Sequence, residues 1–252
     1  MTHHLFIVTG ASRGMGEAIA GQLLAPGHKV LGVSRRTSAM LAERSREVGC
    51  ECEQWEADLA QPGAVAARLQ SWLGALDGSV YATATLINNA AALTRIGPLD
   101  AADDAELSAA LRVGLEAPVL LTAAFLRTTK GWAARRRVLN ISSGLGRRAM
   151  AGQASYCAVK SGLDHFSRAL ALDEAQRPNG ARVVSLAPGV IDTDMQAQLR
   201  RADAAGFPDL AFFRGLKDSG QLTSPADAAA RVLACLLRAD FGNNPVADVR
   251  DA

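Results

Sequence analysis

The sequence predicts a single α/β domain on a mostly parallel, doubly wound sheet with helices on both faces. Three observations carry this expectation. Short β-branched or apolar runs alternate with longer helical patterns, no Pro/Gly-rich linker or repeat divides the chain, and 252 residues suit one large domain. Strand character falls on residues 5–9, 29–34, 52–57, 85–88, 137–142 and 182–186, and helical character on 16–24, 64–76, 104–128 and 155–174. Strands joined through helices cross over right-handed and pair in parallel. The 49% apolar content supplies a continuous core. Residues 192–222 break the alternation, being rich in Gln, Arg, Asp, Gly and Phe. They lie just past the strand run 182–186, where a mobile lid over a site is inserted.

Charge and cysteine content exclude several classes. A formal net charge of +2 gives no nucleic-acid footprint, and the longest basic run, Arg135-Arg136-Arg137, suits a helix end or a solvated surface. The four cysteines, Cys50, Cys52, Cys157 and Cys235, are scattered without a second CxxC or a histidine pair, so free thiols and no metal are expected. The chain enters an apolar strand directly after Met1-Thr2-His3-His4, leaving no room for a secretory signal; a cytoplasmic location is expected. The longest uncharged stretch, 78–94, is interrupted by Asn88 and Asn89 and suits a buried strand and its loop rather than a membrane span.

Thr9-Gly10-Ala11-Ser12-Arg13-Gly14-Met15-Gly16 joins the first strand to the first helix. Gly10 permits a tight turn, Gly14 lets the backbone approach a pyrophosphate, and Gly16 allows close helix packing. The helix N-terminus then offers free N–H groups to phosphate. A purely structural turn would look similar; its place at the first strand–helix junction favours a dinucleotide. The second strand ends in Val33-Ser34-Arg35-Arg36 with no carboxylate for a ribose 2′-hydroxyl. Arg35, with Arg36 and Arg13, suits a 2′-phosphate, so NADP(H) is expected over NAD; Arg36 also fits a solvated surface. Asp58, in Ala57-Asp58-Leu59, either accepts from an adenine amine or caps the next helix. Asn88-Asn89-Ala90-Ala91 forms an amide-rich turn against which a cofactor lies, and Pro188-Gly189-Val190-Ile191 leaves backbone groups for a carboxamide. Thr193, near Met195, either bonds the cofactor or caps the lid helix.

Tyr156 and Lys160 are four apart in a helical pattern and share a face. An ammonium beside a phenol favours phenolate, lowering the tyrosine pKa from about 10 and making it a general acid for a forming alkoxide. Ser143 follows the fifth strand, where its hydroxyl can polarise a substrate carbonyl. The spacing alone is a common accident. In the 192–222 segment, Met195, Phe207, Phe212 and Phe213 suit either an apolar ligand or the packing of the lid onto the body.

The TGxxxGxG turn, the Asn-Asn-Ala loop, Ser143 thirteen residues before Tyr-x-x-x-Lys, and the Pro-Gly…Thr turn occur in one order across essentially the whole chain. In this the chain resembles the short-chain dehydrogenase/reductase family. The resemblance implies a Rossmann-type, mostly parallel seven-stranded sheet, with Tyr156 as acid/base and Ser143 orienting the carbonyl. Lys160 would bind the nicotinamide ribose and lower the tyrosine pKa, and Asn88 would shape the cofactor pocket. Asp192-Thr193-Asp194-Met195-Gln196, Tyr156-Cys157-Ala158 and the tail 243–251 are similar to sepiapterin-reductase and benzil-reductase-like members. In the pterin reductases an acid near the C-terminus anchors the substrate, and Asp248 falls at that place; a solvent-facing tail acid is the alternative.

The resemblance further implies a small-molecule carbonyl substrate and a homodimer or homotetramer, with no nucleic-acid or membrane partner. One departure stands out. Gly114, in Arg112-Val113-Gly114-Leu115-Glu116-Ala117-Pro118, replaces the family asparagine that holds a proton-relaying water. The expected activity is NADPH-dependent reduction of a small ketone, 1,2-diketone or pterin-like ketone. A 3-oxoacyl-carrier-protein reductase is the second reading, although its glycine-rich end is missing here. A non-catalytic NADP-sensing protein is the third.

Overall fold

A computed structural model of the chain describes residues 3–251. Seven strands, β1 (His3–Thr9), β2 (His28–Ser34), β3 (Glu51–Glu56), β4 (Tyr81–Asn88), β5 (Arg135–Ile141), β6 (Arg182–Ala187) and β7 (Val246–Asp248), form one sheet in the order β3-β2-β1-β4-β5-β6-β7. All pair in parallel, which completes the mostly parallel expectation. Helices α1 (Gly14–Leu23), α2 (Ala39–Val48) and α9 (Pro225–Leu237) cover one face. Helices α3 (Pro62–Gly74), α4 (Asp104–Leu111), α5 (Ala117–Thr128) and α6 (Ala154–Ala175) cover the other. Each face packs its own core, with Ile19, Val30 and Val232 on one side and Leu31, Leu121 and Phe125 on the other.

Within 192–222 lie α7 (Asp194–Arg200) and α8 (Leu210–Asp218). The ends of this segment are drawn together by a bridge between Ile191 and Thr223. It carries a small core of its own, in which Phe207, Leu210 and Phe213 pack on Ile96.

The sequence order reverses between β1 and β4, and neighbouring strand ends stand level: Thr9 beside Val33, Asn88 beside Asn140, Ala187 beside Asp248. The glycine turn and the loops after β2, β3, β4, β5 and β6 therefore leave one edge, at the switch point where open α/β sheets bind ligands.

Two expectations are sharpened. Of the two readings of the arginine run, Arg136 takes the helix end and not the solvated surface: it lies in β5 at 3% exposure, bonded to the Leu126 carbonyl in the last turn of α5 and to the Asn179 carbonyl, and facing Glu174 at 3.6 Å. The helix expected over 104–128 is continuous but widens into a π turn at Arg112–Glu116 between α4 and α5. Pro118, just beyond, has no N–H to return to the Gly114 carbonyl, so the regular ladder fails there. The run has the length and apolarity of a membrane span, yet α5 packs on α3 as a core helix, with Leu121 and Phe125 buried.

Candidate active site

The strand ends open onto a cleft of about 1490 Å³. A pocket for one small ligand spans roughly 300–1,000 Å³, so this cleft has room for a dinucleotide and a second molecule. Of the residues expected at the cofactor and chemical sites, all line it except Asn88.

At one end stands the glycine turn. Gly14 has φ +58°, and a Cβ there would meet only Thr193 Cγ2, at 3.6 Å. A Cβ on Gly16 would sit 2.2 Å from the Gly10 carbonyl oxygen, so α1 starts hard against the turn. Arg13 at the N-cap is extended and offers no side-chain cap, which leaves the first-turn N–H groups facing the cleft. Asn89 clips this turn to the β4 loop: its Nδ2 donates to the Thr9 carbonyl at 2.9 Å, and its backbone N–H donates to Thr9 Oγ1 at 2.9 Å.

Past β2, the Arg35 and Arg36 guanidiniums have no ion-pair partner among the described residues. Ser34 turns its hydroxyl onto the Arg36 carbonyl. Arg13 also lines the cleft but is not free as the sequence suggested, since its Nη1 lies 2.7 Å from Asp194 Oδ2 at the start of α7. Asp58 lines the cleft but caps no helix: its Oδ1 accepts from the Ala60 N–H in the turn before α3, whose N-cap position is Gln61.

Asn88 requires correction. It is 2% exposed, and its Nδ2 donates to Asn140 Oδ1 at 2.8 Å and Thr122 Oγ1 at 3.2 Å. Successive strand residues face opposite sides, so Asn88 points under the sheet and holds β4, β5 and α5 together.

The chemical end gathers Ser143, Tyr156 and Lys160. Ser143 sits two residues beyond β5, and its Oγ accepts from the Leu145 N–H at 3.2 Å. Lys160, 2% exposed, donates to the Ile141 carbonyl at 2.7 Å, with its Nζ 5.5 Å from the Tyr156 ring centre. The expected phenolate does not follow from this pairing. Burial pushes the Tyr156 hydroxyl up to about 12, and a hydrogen bond with Ser143 only partly offsets it. Burial likewise takes Lys160 down to about 8, opposed by the charge of Asp164. The ammonium is committed to a backbone carbonyl, so desolvation outweighs its pull on the phenol.

The tail reading of Asp248 also changes. This residue ends β7 at 4% exposure, and Arg250 grips it with Nε at 2.8 Å and Nη2 at 2.6 Å. Arg147 Nη1 stands a further 3.7 Å from it. The carboxylate borders the cleft already neutralised, so it is neither a solvated tail acid nor a free anchor.

Gly114 is explained sterically: a Cβ there would fall 2.5 Å from Val159 Cγ1, beside Lys160 on α6. Of the expected apolar lid residues, Phe207 is fully buried and packs the segment on the body, whereas Phe212, Phe213 and Met195 border the cleft. Sequence reasoning missed Arg148 and Gln153, which also line it, and gave no site role to Gln196, which does too. Arg148 and Gln153 belong to no local motif; only the folded chain brings them to the cleft.

The family profile described as short chain dehydrogenase matches residues 4–204. The chain is 32% identical over 240 residues to a benzil reductase ((S)-benzoin forming) of Bacillus cereus, covering 95% of this chain and 96% of that one. It is 35% identical over 200 residues to a 3-oxoacyl-[acyl-carrier-protein] reductase of Pseudomonas aeruginosa, covering 78% and 77%. Among solved structures, a metagenomic short-chain oxidoreductase in complex with NADP superposes with a TM-score of 0.70 at 30% identity, covering 98% of this chain and 95% of that one.

Proposed function

Since the chain belongs to the short-chain dehydrogenase family and is an oxidoreductase, we propose that it reduces a carbonyl to an alcohol with NADPH, with Tyr156 giving the proton. The observation that carries this reading is the meeting of Ser143, Tyr156 and Lys160 at one end of a cleft whose other end is an uncapped helix N-terminus.

The chain fits a phosphorylated dinucleotide. Gly10, Ser12 and Gly14 expose backbone to a pyrophosphate, and the first-turn N–H groups of α1 lack side-chain partners. Arg35 and Arg36 offer unpaired guanidinium forks to a 2′-phosphate. Asp58 and Leu59 would border the adenine, and the backbone of 188–191 the carboxamide. Lys160 and Thr193 would hold the cofactor from either side.

The nicotinamide, when bound, supplies the hydride. Ser143 Oγ donates to the substrate carbonyl oxygen and polarises it. Tyr156 Oη passes its proton to that oxygen as negative charge develops. A hydroxyl at about 12 stays protonated throughout the neutral range, which suits a donor. Residues 192–222 act as a lid over this end, with Met195, Phe212 and Phe213 offering apolar surface.

Small ketones, 1,2-diketones and pterin-like ketones are the substrate classes. Similarity to a benzil reductase over nearly both chains supports the diketone. Similarity to the carrier-protein reductase covers less of each chain, so that activity ranks second. A panel of benzil, a pterin ketone and an acetoacetyl thioester with NADPH or NADH tests the reading. NADPH oxidation fastest with a diketone, and lost in Tyr156→Phe, is the expected result. Tight NADPH binding without turnover on any carbonyl would make the chain a sensor.

A further inference from the structure

Behind the chemical end lies a buried carboxylate with no part in the reaction described above. Asp164 is 1% exposed on α6, one turn beyond Lys160. Its Oδ1 accepts from Ser142 Oγ at 2.5 Å and Ser185 Oγ at 2.7 Å, joining the ends of β5 and β6. Among the described residues its Oδ2 has no hydrogen-bond partner, and it faces Arg147 Nε at 3.4 Å. Arg147 in turn donates from Nη2 to the Ala247 carbonyl at 2.9 Å and stands beside Asp248. The loop holding Ser143 is thus tied to α6 and β7 through one guanidinium. It passes so close that a Cβ on Gly146 would lie 2.6 Å from Asp164 Oδ2.

We infer that Asp164 is a positioning residue: it fixes the strand end bearing Ser143 and supplies the negative charge that keeps Lys160 an ammonium. A neutral residue would serve the first task, because two hydroxyl donors need only an acceptor. The second requires charge. Lys160 donates its hydrogen bond to a carbonyl dipole at Ile141, not to a carboxylate, and its burial works against the charged form. The charges around it are few. Asp164 is on its own helix with the neutral Tyr156, Arg147 and Arg148 lie in the loop after β5, and Asp248 is matched by Arg250 at β7. The π turn packed on α6 brings Gly114 against Val159. Asp164 is the group whose charge favours the ammonium. Its carboxylate is in turn neutralised from outside by Arg147, which keeps an uncompensated anion out of the interior.

The inference rests on the proposed roles of Tyr156 and Lys160, so its test is made first on cofactor-free protein. A double-mutant cycle of Asp164→Asn and Lys160→Met is followed by thermal denaturation at about pH 6.5 and about pH 10. Asparagine keeps the acceptor for both serines and removes only the charge. The expected result is that the two Tm changes are non-additive at the lower pH and additive at the higher, where the lysine is neutral. Coupling that is the same at both pH values, or absent at both, overturns the proposal. If Asp164→Asn does not fold, Arg147→Gln replaces it in the cycle, and coupling of opposite sign, present only at the lower pH, is expected; its absence overturns the proposal equally. The second readout is the pH–rate profile of carbonyl reduction, whose alkaline limb should move down by roughly one pH unit in Asp164→Asn. An unmoved limb in an active variant also overturns it. A wild type that turns over no carbonyl would remove the catalytic reading while leaving the stability cycle interpretable.

Discussion

Arg13 reaches across the mouth of the cleft to Asp194, Nη1 to Oδ2 at 2.7 Å, joining the glycine turn to the first turn of α7 across 181 residues of sequence. Both side chains are largely exposed, and such pairs contribute about 0.2–1 kcal/mol. In the proposed NADPH complex a cofactor phosphate and Asp194 would be rivals for the same guanidinium, with the carboxylate easily displaced.

Removing the rival should favour the phosphorylated cofactor. Asp194→Asn is expected to lower the KM for NADPH by up to about fivefold and to leave that for NADH nearly unchanged. Steady-state kinetics with both cofactors decides it, and equal changes for the two would assign Asp194 to the lid alone.

Arg35 should carry more of the selectivity, since among the described residues it has no ion-pair partner to give up. A hydrogen bond to a charged group contributes about 1.5–3 kcal/mol, equivalent to a ten- to hundredfold effect. Arg35→Glu is accordingly expected to cut kcat/KM for NADPH by that factor while sparing NADH. An unchanged NADPH/NADH ratio would move the 2′-phosphate elsewhere.

Lys160 predicts a pH-dependent stability. Its ordinary value of 10.5 falls to about 8 in the fold. Between these values the unfolded chain holds a proton that the folded chain lacks, so the destabilisation is fully present below about 8 and relieved as pH rises through the window. Relative to Lys160→Met, the cofactor-free wild type should gain stability between pH 7 and 10, by an amount of the order of 3 kcal/mol. Denaturant titrations of both proteins across that range measure the difference; parallel curves would mean the lysine is not desolvated.

Asn88 distinguishes a structural amide from a cofactor ligand. Asn88→Ala leaves Asn140 and Thr122 without their buried partner, a cost of about 1–3 kcal/mol, and should lower Tm while leaving the NADPH Kd nearly constant. Loss of NADPH affinity in a protein of unchanged Tm would restore the direct role.

What was legible in the sequence is what local spacing encodes. The glycine turn, the Tyr156–Lys160 interval and the loops after each strand depend on a few consecutive residues and on the strand–helix alternation that carries them to one edge. The misreadings share a different cause. Asn88 and Asn89 are equivalent as letters, and only the pleat of β4 decides that one faces the cleft and the other the core. Asp248 looked available because spacing alone does not show that Arg250, two residues on, folds back onto its carboxylate, or that Arg147 arrives beside it from a distant loop. The arginine run did not show which of its members would be buried: Arg136 closes on Leu126 in the helix just before β5 and on Asn179 in the loop after α6. The tyrosine pKa was misjudged in sign, since the spacing shows the lysine charge but not the burial that outweighs it.

Gly114 and Val159 also bear on descent. An asparagine at 114 would drive its Cβ into the Val159 methyl, so that substitution requires residue 159 to move or to be smaller. The two positions are therefore coupled as mutational steps: shrinking 159 first removes the clash, whereas enlarging 114 first must displace α6 or the Val159 side chain. Libraries that randomise 114 and 159 together sample this pair without that obstacle, and those that randomise 114 alone do not.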